Sequence, residues 1–510
     1  MGTVVRRRRV LLIVALVLLT ASCGAGVFVY RQLNGNIREV PLYSGTTGDA
    51  GREVPDVFGR LPINVLLIGS DSRAKAVNCR LGGGCDRFTG QNADVEMVVH
   101  VSADRTNITV MSVPRDTVAE LPGCTHPTTG AKIGPRRAQI NASLLYGPGC
   151  TVAAVHQVTG IPIDHFMMVD FAGVIAMSDS VGGVSVCVTD NVFDSYSHLK
   201  LTAGTHVLKG LAALEFVRSR HAFGDGSDLG RTYAQHVFLS AVIRSLKRKG
   251  VLLNPAAVYK LAQAATKALT VDPELGSIPK LLGLAADVNK VEADRITFTT
   301  MQTSPDPADV NRVVVAPAAK KLFETIIKDE SLSSPGTPAT PTPSVPASGT
   351  PSPSPSPSVK PGRVNLRVVN ASGQEGRATE VSRGLNAQGF VRTTLVSSPT
   401  VIARSTVGYG PGRRDQAEAV AAALELPPDT ISATSTPGVS LTIGTDWTEG
   451  TTFPTVDDRR TTALKQSHAQ TAKTSSCVPV SKQNTVTVNG VSMSPIQAFA
   501  ATPDVKLSAP

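Results

Sequence analysis

The stretch Asn64-Val65-Leu66-Leu67-Ile68-Gly69-Ser70-Asp71-Ser72-Arg73 passes from an unbroken apolar run, through a glycine, into a charged turn. Such a run bounded by a turn signal reads as a buried strand that delivers Asp71 and Arg73 to its end. Residues 95–101 and 108–113 read as further strands. Residues 229–249 read as a helix, apolar at Val237, Phe238, Ala241 and Val242 and basic at Lys247, Arg248 and Lys249, where the helix dipole favours cations. Strands alternating with helices across 61–330 predict an α/β layered domain.

The chain has 510 residues, more than one compact domain holds. Residues 333–362 are rich in Pro, Ser, Thr and Gly and form a polyproline-type spacer. Beyond it, 363–447 read as a small second domain, with strands at 366–370 and 405–409 and helices at 378–388 and 414–424. Residues 448–510 are polar without periodicity and read as an irregular tail.

Upstream, residues 10–30 carry no charge and follow Arg6, Arg7, Arg8 and Arg9. An apolar segment of this length spans the ~30 Å core of a bilayer. The arginine block fixes its orientation, with residues 1–9 cytoplasmic, 31–60 a stalk and the bulk outside the cell membrane. A cleaved signal peptide is the rival reading, but the apolar run continues past the cleavage-like Leu19-Thr20-Ala21-Ser22-Cys23 through Val27, Phe28 and Val29. This placement turns the net charge of +10 away from nucleic acid and toward an anionic or phosphate-rich partner. Export also fits the cysteines past the anchor: Cys79 with Cys85 and Cys124 with Cys150 each bracket a loop and are expected to pair, while Cys187 and Cys477 stay open. No CxxC spacing suggests zinc.

Acidic and basic residues gather where strands end. Asp71 follows the first strand and Asp94 precedes the next, so antiparallel pairing brings both carboxylates to one sheet edge. Two such oxygen ligands suit Mg²⁺ or Mn²⁺, which keep waters and phosphates as their remaining partners. The bland alternative is a pair of turn aspartates. Arg115 follows a strand in Val113-Pro114-Arg115-Asp116-Thr117. Arg218 and Arg220 alternate in what reads as an extended segment and so point one way. Arg231 and Gln235 share a helix face, and Asp228 lies close enough to orient Arg231. Guanidinium groups suit bidentate phosphate recognition, so the whole set describes a pyrophosphate site.

In this order, Gly-Ser-Asp-Ser-Arg, Ala-Asp, Val-Pro-Arg-Asp-Thr, Phe-Val-Arg-Ser-Arg-His and Asp-Leu-Gly-Arg-Thr-Tyr-Ala-Gln, the chain resembles the LytR-CpsA-Psr family over about 61–250, and 363–447 resemble the LytR C-terminal domain. The resemblance implies an αβα fold around a mixed sheet, with a tunnel for a polyprenyl chain. It also implies Mg²⁺ on Asp71 and Asp94, and Arg115, Arg218, Arg220 and Arg231 on a pyrophosphate, with Arg73, Asp228 and Gln235 beside the substrate. Where the family commonly has Lys, this chain has Gln139, with Arg136 and Arg137 nearby; Glu96 stands in a stretch that is commonly apolar. The implied activity is transfer of a glycopolymer from undecaprenyl pyrophosphate to a peptidoglycan hydroxyl, with pyrophosphatase side activity. A non-catalytic wall-glycan binding protein and a plain polyprenyl pyrophosphatase are the alternatives. Since the reactive set ends at Gln235, everything after Lys328 is expected to be dispensable for turnover.

Topology is testable at once: protease added to intact protoplasts digests the region after residue 30 if it lies outside, and full protection refutes that orientation.

Overall fold

A computed structural model describes residue 24 and residues 26–509, apart from 54, 56–58, 74–77, 80, 82–90, 248–254, 334–358, 403, 428–429, 448, 455 and 466. The described residues form two compact units, one drawn from Met1–Gly336 with Thr462–Pro510 and the other from Thr337–Thr461.

The first unit is built on an eight-stranded mixed sheet. Its strands, in chain order, are β1 (Arg38–Glu39), β2 (Ile63–Ser70), β3 (Ala93–Val101), β4 (Ile108–Ser112), β5 (His165–Val169), β6 (Leu269–Val271), β7 (Ile296–Thr300) and β8 (Gln470–Thr471). Their spatial order is β1-β6-β5-β2-β3-β4-β7-β8. Strand β2 pairs antiparallel with β3 and parallel with β5. The helices are α1 (Pro148–Thr159), α2 (Phe171–Ser180), α3 (Gly210–Arg218), α4 (Asp228–Lys247), α5 (Pro255–Ala268), α6 (Ile278–Lys290) and α7 (Ala319–Ile327). On one sheet face Leu66, Ile68, Val98 and Met111 pack with Val152 and Val155 of α1 and Leu322, Phe323 and Ile326 of α7. On the other, Met97, Val101, Val110 and Phe298 pack with Leu239 and Ile243 of α4 and Val288 of α6. Helices on both faces explain why the β2 run does not alternate: each of its residues meets a hydrophobic layer. The expected αβα layering holds.

Three expectations change. Arg218 closes helix α3, so the Arg218–Arg220 segment is not an extended strand; Ser219 beyond it turns extended, at φ −65° and ψ 112°. Residues 31–60 are no free stalk, since β1 joins the sheet beside β6 and Thr46 donates its amide to Gly123 O at 2.8 Å. The end of the chain is not an irregular tail. Strand β8 extends the sheet at β7, and Cys477 is disulfide-bonded to Cys187 across 290 residues of sequence. Val478 N then donates to Cys187 O (2.8 Å), Gly224 N to Pro479 O (3.0 Å), Ser481 N to Ala222 O (2.8 Å) and Thr485 Oγ1 to His221 O (2.6 Å). These short pieces gain order from backbone partners far away in sequence, and such pairing needs no hydrophobic period. Residues 462–510 therefore strap the segment that carries Arg218, Arg220 and His221, which removes the ground for calling everything after Lys328 dispensable.

Cys124 and Cys150 are also bonded, with Cα atoms 5.8 Å apart. Cys79 is disulfide-bonded, and Cys85 lies outside the described residues. So do residues 10–23 and 25; among the described residues no helix is long and apolar enough to cross a membrane.

The second unit holds a five-stranded sheet in the order Thr393–Ser397, Leu366–Asn370, Val439–Ile443, Thr406–Tyr409, Ile431–Ala433. Helices Arg377–Ala387 and Arg414–Ala423 cover it. The single tryptophan, Trp447, is fully buried there, with the Arg377 guanidinium 5.8 Å from its ring centre.

Cutting the chain after Thr461 removes β8 and Cys477, so the first unit should lose at least about 2–4 kcal/mol, the usual worth of a native disulfide. Cys477→Ser alone should account for most of it. Denaturant melts of the full chain and both variants check this; unchanged stability would show the strap to be an ornament.

Candidate functional site

The site is assembled where β2 ends, β3 begins, β4 ends and helices α3 and α4 meet. Antiparallel pairing of β2 with β3 shifts register at Gly69, where a Cβ would lie 2.8 Å from Val95 Cβ, so a side chain there would force the strands apart. That shift sets Asp71 against Asn92: its amide donates to Asn92 O at 3.1 Å, and its Oδ1 accepts from Asn92 N at 2.5 Å. Burial, joined by the charge of Asp94, holds the Asp71 carboxyl above its ordinary range.

From Asp94 a chain of alternating charges crosses the site. Asp94 accepts from Arg115 Nη1; Arg115 Nε lies 3.8 Å from Asp228 Oδ1; and Asp228, the first residue of α4, pairs with Arg231 one turn on. Burial would lower the Arg115 pKa, but Asp94, Asp228 and Asp116 outweigh it and raise it. Arg231 is only 4% exposed, and burial pulls its pKa down despite Asp228. Gln235 donates to Val217 O at 3.0 Å, tying α4 to the end of α3.

Arg218 lies 4.5 Å from the Phe171 ring centre and donates to Leu81 O at 3.1 Å. Its pKa is lowered by burial first, and also by Arg73 and Arg231. Arg220 pairs with Asp116 Oδ2 at 3.1 Å. That carboxylate is shared, since Arg312 Nη1 (3.2 Å) and Gln139 Nε2 (2.9 Å) reach its other oxygen. Arg137 turns instead to Asp306 (2.8 Å), and the Arg136 guanidinium lies over the Tyr146 ring. Asp116 and Arg312 escaped the sequence reading; Asp116 stands in the Val-Pro-Arg-Asp run, but Arg312 is far away in sequence and nothing local marks it.

Asp94, Arg115, Arg218, Arg220, Arg231 and Gln235 thus line one cleft of about 240 Å³, with Val169, Phe171, Val174, Leu214 and Val217 as its apolar wall. Arg73 stands close enough to act on both Asp71 and Arg218. Phe166 belongs to the sheet core, and Val237 and Phe238 to the packing around α3 and α4. Glu96, paired across from Ile68, is 1% exposed with both carboxylate oxygens unpartnered, and burial, joined by the charges of Asp228 and Asp94, pushes its pKa well up. Among the described residues no cluster of three or more His, Cys, Asp or Glu could hold a metal.

Residues 48–328 match the LytR_cpsA_psr family, and 363–447 match the LytR cell envelope-related transcriptional attenuator. The chain is 29% identical over 353 residues to the cell wall biosynthesis protein LcpA of Corynebacterium glutamicum, covering 64% of this chain and 65% of that protein. It is 34% identical over 213 residues to the probable cell wall biosynthesis protein LcpB of the same organism, covering 41% and 48%. In both cases the match spans less than two thirds of the relative. The polyisoprenyl-teichoic acid–peptidoglycan teichoic acid transferase TagU of Halalkalibacterium halodurans is 28% identical over 260 residues, 48% of this chain and 77% of that protein.

One pin holds α4, and so Arg231, against the sheet: His236, fully buried, lies 2.7 Å from Ser112 Oγ at the end of β4. Burial lowers its pKa to about 3. Because the folded pKa lies below the unfolded value of about 6.5, the unfolded chain binds the extra proton between those values; stability is present above about pH 6.5 and lost as pH falls toward 3. This group should cost about 1.4 kcal/mol per pH unit below 6.5. Comparing urea melts of the wild type and His236→Gln from pH 7.5 to 5 checks it: the variant should lack that slope, and equal slopes would contradict the assignment.

Proposed function

The chain belongs to the LytR-CpsA-Psr family, and from that premise we propose that it moves a phosphate-linked glycopolymer from a polyprenyl-pyrophosphate carrier, undecaprenyl pyrophosphate by family expectation, to a hydroxyl of peptidoglycan. The observation that carries this reading is the cleft itself: Arg115, Arg218, Arg220 and Arg231 converge beside an apolar wall, which suits an anionic head joined to a hydrocarbon chain.

In this reading the acceptor oxygen attacks the phosphorus next to the glycan, an O–P bond forms, and the bond to the polyprenyl phosphate breaks with its electron pair leaving on that phosphate. Arg115, Arg218 and Arg220 place donors where negative charge grows during the displacement. Asp94 holds Arg115 ready and Asp116 holds Arg220, so these two need little reorganisation during the reaction. Val169, Phe171 and Val174 take the first isoprene units and exclude water from the pyrophosphate. The buried pair Arg231–Asp228 orients Arg115 from behind.

Asp71 and Asp94 fit a hard divalent ion such as Mg²⁺ or Mn²⁺: the donors are carboxylate oxygens at one sheet edge, and Asp71 carries a raised pKa that a cation would relieve. Such an ion, when bound, would neutralise pyrophosphate charge. Without an acceptor, water in the hydroxyl's place gives slow pyrophosphate hydrolysis as side activity. The reading also places the cleft outside the cell membrane, held there by residues 10–30.

Asp71→Ala or Asp94→Ala should lower turnover of a polyprenyl-pyrophosphate donor by about tenfold or more, and the double change should cost little beyond either single one if both act through one ion. Arg218→Lys should not restore full rate, since an ammonium cannot make the bidentate fork. The measurement is transfer of labelled donor with and without chelator, beside melting curves. Turnover unaltered by chelator and by both Asp changes would defeat the metal-assisted route; arginine variants that merely unfold would make those residues structural.

A further inference from the structure

The displacement leaves one proton to be taken from the attacking hydroxyl, and we propose that His221 takes it. This inference rests on the transfer reading above and supplies the base that reading lacks.

The argument begins with the proton acceptors that line the cleft. Asp94 is occupied by Arg115, and Asp170 caps helix α2 by accepting from Gly173 N at 2.9 Å. Tyr196 is a phenol. His221 lines the same cleft, and among the described residues neither of its ring nitrogens makes a hydrogen bond. Its backbone, by contrast, is pinned on both sides. The amide donates to Asp194 Oδ2 at 3.3 Å, and the carbonyl accepts from Thr485 Oγ1 at 2.6 Å. The ring packs at 4.4 Å, centre to centre, on Tyr196, whose side is open to solvent. An imidazole in the cleft wall, held through its backbone and its face and with neither ring nitrogen hydrogen-bonded, is placed to collect a proton rather than to support the fold.

Asp194 is the hub of that positioning. Fully buried, it also accepts from Ser219 Oγ (2.6 Å) and Tyr196 N (2.9 Å), so one carboxylate fixes Ser219, between the two arginines, together with His221 and its stacking partner. The charged groups facing the ring are Asp194, Arg220, Arg115 and Arg231. Burial first, then the three arginines, hold the imidazole below its usual range against the opposing pull of Asp194. It is therefore neutral at pH 7 and able to accept. In the step, the acceptor oxygen forms its bond to phosphorus, the bond to the polyprenyl phosphate breaks, and the hydroxyl proton moves to a His221 ring nitrogen. The imidazolium then returns that proton to water through the open side of Tyr196.

The test uses the full chain in detergent with a polyprenyl-pyrophosphate-linked glycan donor and a peptidoglycan-fragment acceptor. His221→Gln should lower kcat by about 100-fold or more, with KM for the donor within about twofold. Wild-type kcat should rise tenfold per pH unit at acid pH and level off above the imidazole pKa; the variant should lose that limb. Added imidazole should restore part of the rate to His221→Ala, a rescue that a structural role would not give, and His221→Asn serves if His221→Gln does not fold. A retained acid limb in a folded variant, or no rescue, overturns the assignment while the transfer reading stands. No transfer by the wild type sinks that reading, and this one with it.

Discussion

Holding several guanidinium groups together in one cleft is the constraint on which this structure turns. Arg115, Arg218, Arg220 and Arg231 face one cleft, and like charges a few ångströms apart repel by on the order of 2–4 kcal/mol at an effective dielectric of about 20. The fold answers by interleaving carboxylates. Asp94 and Asp228 bracket Arg115, Asp228 also holds Arg231, and Asp116 holds Arg220 together with Arg312. Arg218 rests instead on an aromatic face and a backbone carbonyl, and its charged form, like that of Arg231, is disfavoured by burial and by neighbouring arginines. In the proposed reading, a pyrophosphate in the cleft would be drawn by that positive charge.

The scaffold keeps this balance by bringing chain ends together at one sheet edge. The Gly69 register shift brings Asp71 to the start of β3, the Ser112–His236 contact fixes α4 to β4, and the terminal strap of residues 477–485 ties down the segment after α3. The first unit is therefore discontinuous in sequence: its last pieces follow the second unit. That arrangement lies outside both family matches, which end at residues 328 and 447.

Much of the site was legible because its residues sit in compact runs. Asp71, Asp94, Arg115, Arg218, Arg220 and Arg231 each follow or precede an apolar segment, and the structure brings them together. Antiparallel pairing of β2 with β3 was readable for the same reason. What escaped depends on contacts distant in sequence. Arg312 meets Asp116 across 196 residues, and Thr485 meets His221 across 264. The tail escaped because short strands that borrow backbone partners need no hydrophobic period. In the second unit the alternating strand 366–370 was readable, while 393–397, largely exposed, gave no apolar signal.

The central claim is that these arginines form a pyrophosphate site beside an apolar wall. Determining a structure of the protein with a short-chain polyprenyl pyrophosphate tests it most directly. The account predicts both phosphates within hydrogen-bond distance of Arg115, Arg218 and Arg220, with the first isoprene units against Phe171 and Val174. A ligand seated elsewhere, or a cleft that stays empty at saturating ligand, would contradict it.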